Sequence, residues 1–183
     1  MNISWILSDS VVLDPTLDVN PLKNIGAFWG SWSTWRSCQT DNVICNDPVK
    51  ASELVKRNFQ NTCNLYIPNS VFQQLGRPEG VRLYEGVFAH DVDHQDEIVA
   101  LHLVTGTSDI VLMLGFDLSN HAPNPDRLEE HRRQNYRGLI RQAIKDNDHI
   151  QWVLVDHPGE IGKDMILDNL TADTMSNVLK LLD

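Results

Sequence analysis

The Asp, Asn and His residues that directly follow apolar runs are the side chains of this sequence best placed to do chemistry. Ser8 and Asp9 end the first run, Asn46 and Asp47 follow a second, and Asn69, Glu85, Asp117 and the pair Asp156-His157 follow others. If those runs are parallel strands, their ends share one edge of a sheet, and residues remote in sequence converge there. Carboxylates gathered in this way can bind sugar or ribose hydroxyls, hold a hard divalent cation, or raise one another's pKa towards general acid–base use. Asp117 and Asp156 are the candidates for hydroxyl or cation contacts, and His157 for proton transfer. Asp9, Asn46, Asn69 and Glu85 are candidates for ligand binding. The same residue types also cap helices and form turns, and Asp47 before Pro48 has the signature of a helix cap.

A second group is His90-Asp91-Val92-Asp93-His94. Two histidines four apart with an interleaved carboxylate can reach one metal ion, so His90, Asp91 and His94 are candidate ligands for a divalent cation. Acidic residues at this place are equally what the amino end of a helix favours, because its macrodipole is positive there. A third group is Phe28-Trp-Gly-Ser-Trp-Ser-Thr-Trp-Arg36, with three of the five tryptophans. Spacing by three would put Trp29, Trp32 and Trp35 on one broad helical face, where Trp32 could stack on a base or sugar ring or simply pack in the core. No GxGxxG or GxxxxGK[ST] pattern occurs, so the usual glycine-rich phosphate cradle is absent, and a nucleotide would need cationic help.

These residues need a scaffold, and the apolar runs supply one. Ile110-Val-Leu-Met-Leu114 and Trp152-Val-Leu-Val155 flank a long polar helical stretch, which makes a βαβ unit with parallel strands. Six runs qualify as strands: Ile3 to Ser8, Asn42 to Cys45, Asn64 to Ile67, Val81 to Tyr84, Ile110 to Gly115 and Trp152 to Val155. Helices are expected over Trp29 to Cys38, Pro48 to Asn61, Ser70 to Leu75, Gln95 to Thr105, Asp126 to Asn147 and Ala172 to Leu182. The alternation predicts one α/β domain over residues 1–183: a Rossmann-like, mostly parallel sheet of about six strands with helices on both faces.

Bulk properties narrow the partners. The chain has 183 residues, 42% of them hydrophobic, with 15 basic and 25 acidic side chains for a net charge of -10. Such a balance opposes broad binding to nucleic acid or to an anionic membrane, and no run approaches the length of a membrane span. The amino terminus has no basic leader, and the odd set Cys38, Cys45 and Cys63 fits neither a disulfide framework nor a paired zinc motif. Reduced, buried thiols are expected. The basic cluster Arg127, Arg132, Arg133, Arg137 and Arg141 shares its helix with Asp126, Glu129 and Glu130, which predicts a salt-bridged face.

At Gly26-Ala-Phe-Trp-Gly-Ser-Trp-Ser-Thr-Trp-Arg-Ser-Cys-Gln-Thr-Asp-Asn-Val-Ile-Cys-Asn-Asp47 and at Tyr84-Glu-Gly-Val-Phe-Ala-His-Asp-Val-Asp-His-Gln-Asp-Glu-Ile-Val-Ala100, the chain resembles an uncharacterised protein family of tailed marine cyanobacterial phages. The resemblance implies a viral origin, a location in the host cytoplasm or with the virion, and phage or host proteins as partners. A fainter likeness joins Ile110 to Asp117 to Rossmann-type, sialyltransferase-related glycosyltransferases, which carry a similar apolar strand ending in Gly-x-Asp. Their Gly-Pro-Ser motif after the first strand is replaced here by Ser8-Asp9-Ser10-Val11. The leading expectation is a Rossmann-like protein with a ligand cleft at the strand carboxyl ends, resembling divergent nucleotide-sugar-binding, glycosyltransferase-like proteins. The alternatives are a non-catalytic virion or host-interaction protein and a metal-dependent hydrolase using His90, Asp91 and His94.

Overall fold

A computed structural model describes residues 1–9, 19–85, 95–119 and 127–182. Its centre is a single sheet of eight strands, β1 (Ile3–Leu7), β2 (Ala27–Ser31), β3 (Asn42–Ile44), β4 (Asn64–Pro68), β5 (Arg82–Tyr84), β6 (Ile110–Leu114), β7 (Gln151–Val155) and β8 (Leu170–Asp173). The spatial order is β5-β4-β3-β2-β1-β6-β7-β8, and every pairing is parallel. Parallel strands buried on both faces read as continuous apolar runs, which is why β1, β6 and β7 stand out in the sequence.

The expected strand count of about six is corrected to eight by β2 and β8. In β2 (Ala27-Phe-Trp-Gly-Ser) the last three residues fall in the stretch assigned to a tryptophan-bearing helix, and that helix begins only at Trp32. Trp29 therefore leaves the supposed tryptophan face and packs against Tyr66, with ring centroids 5.2 Å apart. In β8 only Leu170 is buried, so an edge strand hides in what looked like a loop running into the last helix.

Among the described residues six α-helices, α1 (Trp32–Cys38), α2 (Pro48–Lys56), α3 (Asn69–Gln74), α4 (Gln95–Val104), α5 (Arg127–Asp146) and α6 (Met175–Leu182), cover the two faces. On one face, α4 and α5 bury Ile98, Leu101, Ile140 and Ile144 against Ile6, Ile44, Met113 and Trp152. On the other, α1, α2, α3 and α6 pack over Trp5, Phe28, Val43, Leu65 and Leu112. Alternate strand residues thus feed opposite layers, and burying each large side chain contributes about 1.5–3 kcal/mol. The face changes because the chain moves one way from β2 to β5 and then doubles back to β6. Right-handed crossovers require the covering helix to change face when the direction reverses.

Turn chemistry sets the helix ends. Asp47 caps α2, accepting from the N–H groups of Val49 (2.8 Å) and Lys50 (3.0 Å). The Asn169 side-chain amide donates to the carbonyls of Ile144, Asn147 and Ile150, closing the end of α5. Both β6 and β7 leave the sheet through a left-handed residue, Gly115 (φ 83°) and Asp156 (φ 51°). Among the described residues, no helix is long and apolar enough to cross a membrane.

Candidate functional site

The strand order changes direction between β1 and β6, the place where open parallel sheets carry a ligand crevice outside the strand carboxyl ends. One wall is built on the end of β1. Ser8 extends the ladder with its N–H to the Leu114 carbonyl (2.9 Å), and Asp9 follows. Asp9 Oδ1 accepts three hydroxyls, from Ser33 (2.8 Å), Thr34 (2.8 Å) and Ser31. Ser31 is the last residue of β2 and the cap of α1, accepting from the Thr34 N–H at 3.2 Å, so one local turn aims all three donors at Asp9. Among the described residues Asp9 Oδ2 has no hydrogen-bond partner, which leaves it available to a ligand hydroxyl.

The roof of the site is the first turn of α4, which the long crossover from β5 carries over β1, β2 and β3. Glu97, 1% exposed, accepts from Ser8 Oγ and the Asp9 N–H, both at 2.8 Å, through Oε1. Its Oε2 accepts from the Tyr136 hydroxyl of α5. A buried carboxylate must be satisfied by donors, and these tie the end of β1 to both helices of one face. Burial, then the adjacent Glu97 carboxylate, pushes the Tyr136 phenol well above its usual range, so it stays a donor. Asp9 and Asp117 push it further the same way.

Asp96, beside Glu97, extends the polar layer towards β3. Its Oδ1 accepts from the Asn46 backbone N–H (3.2 Å) and side-chain amide (2.6 Å), and Asn46 in turn accepts from the Tyr84 hydroxyl. Burial pushes Asp96 up to about 7, helped by the charges of Asp9 and Glu97 and opposed by the Asn46 hydrogen bonds. Cys45, next to Asn46, is pushed up to about 12, mainly by burial and then by Asp96, so it is a thiol at neutral pH.

The other wall follows β6. Asp117 Oδ1 accepts from the backbone N–H (3.0 Å) and hydroxyl (2.6 Å) of Ser119, and Oδ2 lies 3.3 Å from Arg133 of α5. Partial burial raises the Asp117 pKa, but the Ser119 hydrogen bonds and Arg133 outweigh it, so the group lies below the usual carboxylate range. A hollow of 570 Å³ opens beside it, lined also by Pro158, Gly159, Glu160 and Lys163. The His157 ring is 4.0 Å from Asp117. Its Nε2 accepts from the Leu118 N–H (2.9 Å), which leaves the proton on Nδ1, 2.8 Å from the Gly159 carbonyl. Both nitrogens are thereby engaged by backbone.

Asp9 thus stands at the end of β1 and Asp117 at the end of the neighbouring β6 with the buried His157 ring 4.0 Å away, Asn46 is tied to Asp96, and the other candidates stand apart. Asp156 caps α6 through the Met175 N–H (2.9 Å). Asn69 and Glu85 contact each other (3.4 Å) at the β4–β5 edge; β4 is three strands from β1, roughly 14 Å at the usual strand spacing. Trp32 joins Trp35 and Phe59 on the α1–α2 face. His90, Asp91 and His94 lie outside the described residues. Among those described, no group of three or more His, Cys, Asp or Glu is arranged to hold a metal ion. Arg137 pairs with the Asp164 carboxylate in the turn after β7, and Arg141 donates to the Asp164 backbone carbonyl at 2.7 Å.

Sequence reasoning missed Glu97, Tyr136, Ser31, Ser33 and Thr34. Asp96-Glu97 was legible only as charge at a helix start, whereas burial of Glu97 depends on Ser8 and Tyr136, remote in sequence. The three hydroxyls were hidden within the stretch read as one tryptophan helix. Comparison with protein-family models finds no match, and neither do comparisons with curated proteins and with solved structures.

Proposed function

We propose that this protein binds a hydroxyl-rich small molecule, of nucleotide-sugar type, in the crevice between the ends of β1 and β6. The observation that carries the reading is Asp9: one oxygen is saturated by three hydroxyls while the other is open at the topological switch point. A carboxylate held in this way accepts from vicinal ligand hydroxyls and repels a bare phosphate. Arg133 and Lys163, at the Asp117 side, supply the positive charge that a diphosphate would need without a glycine cradle. For a glycosyl transfer, Asp9 and Asp117 are the carboxylates able to accept a hydroxyl proton. His157 fits a role in fixing the Asp117 loop, given its two backbone contacts. The resemblance to phage proteins assigns no chemistry, so the reading stands on the crevice.

The test is a thermal-shift screen with nucleotides, nucleotide sugars and free sugars, because a ligand that binds only the folded chain raises Tm by mass action. A nucleotide sugar should raise Tm in the wild type and fail to do so in Asp9→Asn, whose amide keeps the shape but turns the open acceptor into a donor. A shift equally large in Asp9→Asn would overturn the placement. No shift with any sugar-bearing ligand would overturn the ligand class.

A further inference from the structure

A second hollow, of 490 Å³, lies between α1 and α2. Its apolar part is Trp32 and Trp35, stacked with centroids 5.3 Å apart and planes at 12°, with Phe59 edge-on to both. Around them stand Arg36, Arg57, Lys50 and Glu53. Lys50 pairs with Glu53 at 2.8 Å. Arg36 is exposed and its guanidinium has no partner among the described residues; Arg57 is near enough to lower the Glu53 pKa, after Lys50, without making an ion pair. Three cations against one carboxylate leave the hollow at +2 in a chain of net charge -10. Local charge of this sign on an acidic protein calls for an anionic partner.

The form of that partner follows from the rings. Each tryptophan already gives one face to the other, so the pair is poorly arranged to sandwich a flat base. What remains suits an apolar side chain laid against the rings, with carboxylates at the rim. Tryptophan and arginine around an apolar centre are also the residue types that dominate binding energy at protein interfaces. We propose that the hollow between α1 and α2 docks an acidic peptide segment, its bulky apolar side chain seated on Trp32 and Trp35 and its carboxylates on Arg36 and Arg57. Trp32 and Trp35 share α1 with Ser33 and Thr34, the donors to Asp9, so the variants that test this surface are made at Arg36 and Arg57 rather than at Asp9.

Trp5 and Trp152 are fully buried and Trp29 nearly so, so a change in intrinsic fluorescence on binding reports on Trp32 and Trp35. The probe is a six-residue peptide with one phenylalanine among aspartates, compared with the same peptide carrying lysines in place of the aspartates and with adenosine monophosphate. The acidic probe should give a saturable change that weakens with salt. R36E and R57E should each weaken it roughly tenfold, with Tm unchanged because both side chains are at the surface. The lysine peptide should give none. No saturation up to about 2 mM, equal binding of both peptides, binding unaffected in R36E/R57E, or tighter binding of the nucleotide at the same arginines would each overturn the proposal.

Discussion

Asp96 makes the stability of this fold depend on pH in a direction opposite to that of most carboxylates. Burial, with Asp9 and Glu97 close by, moves it from an ordinary 3.8 to about 7. Below pH 4 the proton is held in both folded and unfolded chains. Between about 4 and 7 only the folded chain keeps it, so each pH step removes stability, by up to about 1.4 kcal/mol. Above 7 the full penalty, up to about 4 kcal/mol, is present. Asp96→Asn preserves an oxygen for both Asn46 donors and cannot ionise. The stability difference between variant and wild type should therefore be constant below pH 4, rise in favour of the variant between 4 and 7, and level off above. Urea denaturation in half-unit steps from pH 3.5 to 8.5 measures it, and the difference cancels the titrating groups that do not interact with Asp96. A flat profile, or a variant that loses ground as pH rises, would refute the account of Asp96 as a carboxyl buried beside two like charges.

Other perturbations test the frame around it. Tyr136→Phe removes a donor from the buried Glu97 carboxylate and should cost about 1–3 kcal/mol in chemical denaturation, without loss of helix content by circular dichroism. Leu112→Ala, in the central strand and 2% exposed, should cost roughly 2–5 kcal/mol. Gly26→Ala would bring a Cβ to 2.3 Å from the Ile3 carbonyl oxygen of the adjacent strand, so separating β1 from β2 should cost about 1–3 kcal/mol; an unchanged Tm would contradict the close approach.

The parallel architecture was legible because strands buried on both faces need unbroken apolar runs, and Ile110 to Leu114 and Trp152 to Val155 have no other simple reading. β2 and β8 were not. Gly30 and Ser31 break the apolar signal of β2, and the tryptophan spacing imitates a helix; β8 needs only Leu170 on the core because its outer edge faces no strand. For the candidate site, the rule that strand ends converge pointed to Asp9 and Asp117 at the ends of β1 and β6, yet it could not separate them from Asp156, whose carboxylate bonds the start of α6. That distinction depends on the left-handed turn at Asp156 and on where α6 docks, and neither has a local sequence signature.

The long crossover from β5 to β6 is what gives a row of strand-end residues the form of a candidate site. A short connection would leave β1 and β2 without a cover; by doubling back over them, α4 sets a pair of acids above the switch point and couples Asp9 to α5 through Glu97 and Tyr136. The Asp9 backbone N–H is bound to the same carboxylate that receives the tyrosine, so the orientation of the Asp9 side chain depends on Tyr136, which reaches it only through Glu97. Tyr136→Phe should then weaken the thermal shift given by a crevice ligand by a few-fold, whereas Leu112→Ala, which lowers stability without touching this chain of contacts, should leave ligand affinity unchanged once corrected for Tm. Equal effects of the two variants on affinity would mean that Asp9 is held by its three hydroxyls alone, and that α4 roofs the crevice without tuning it.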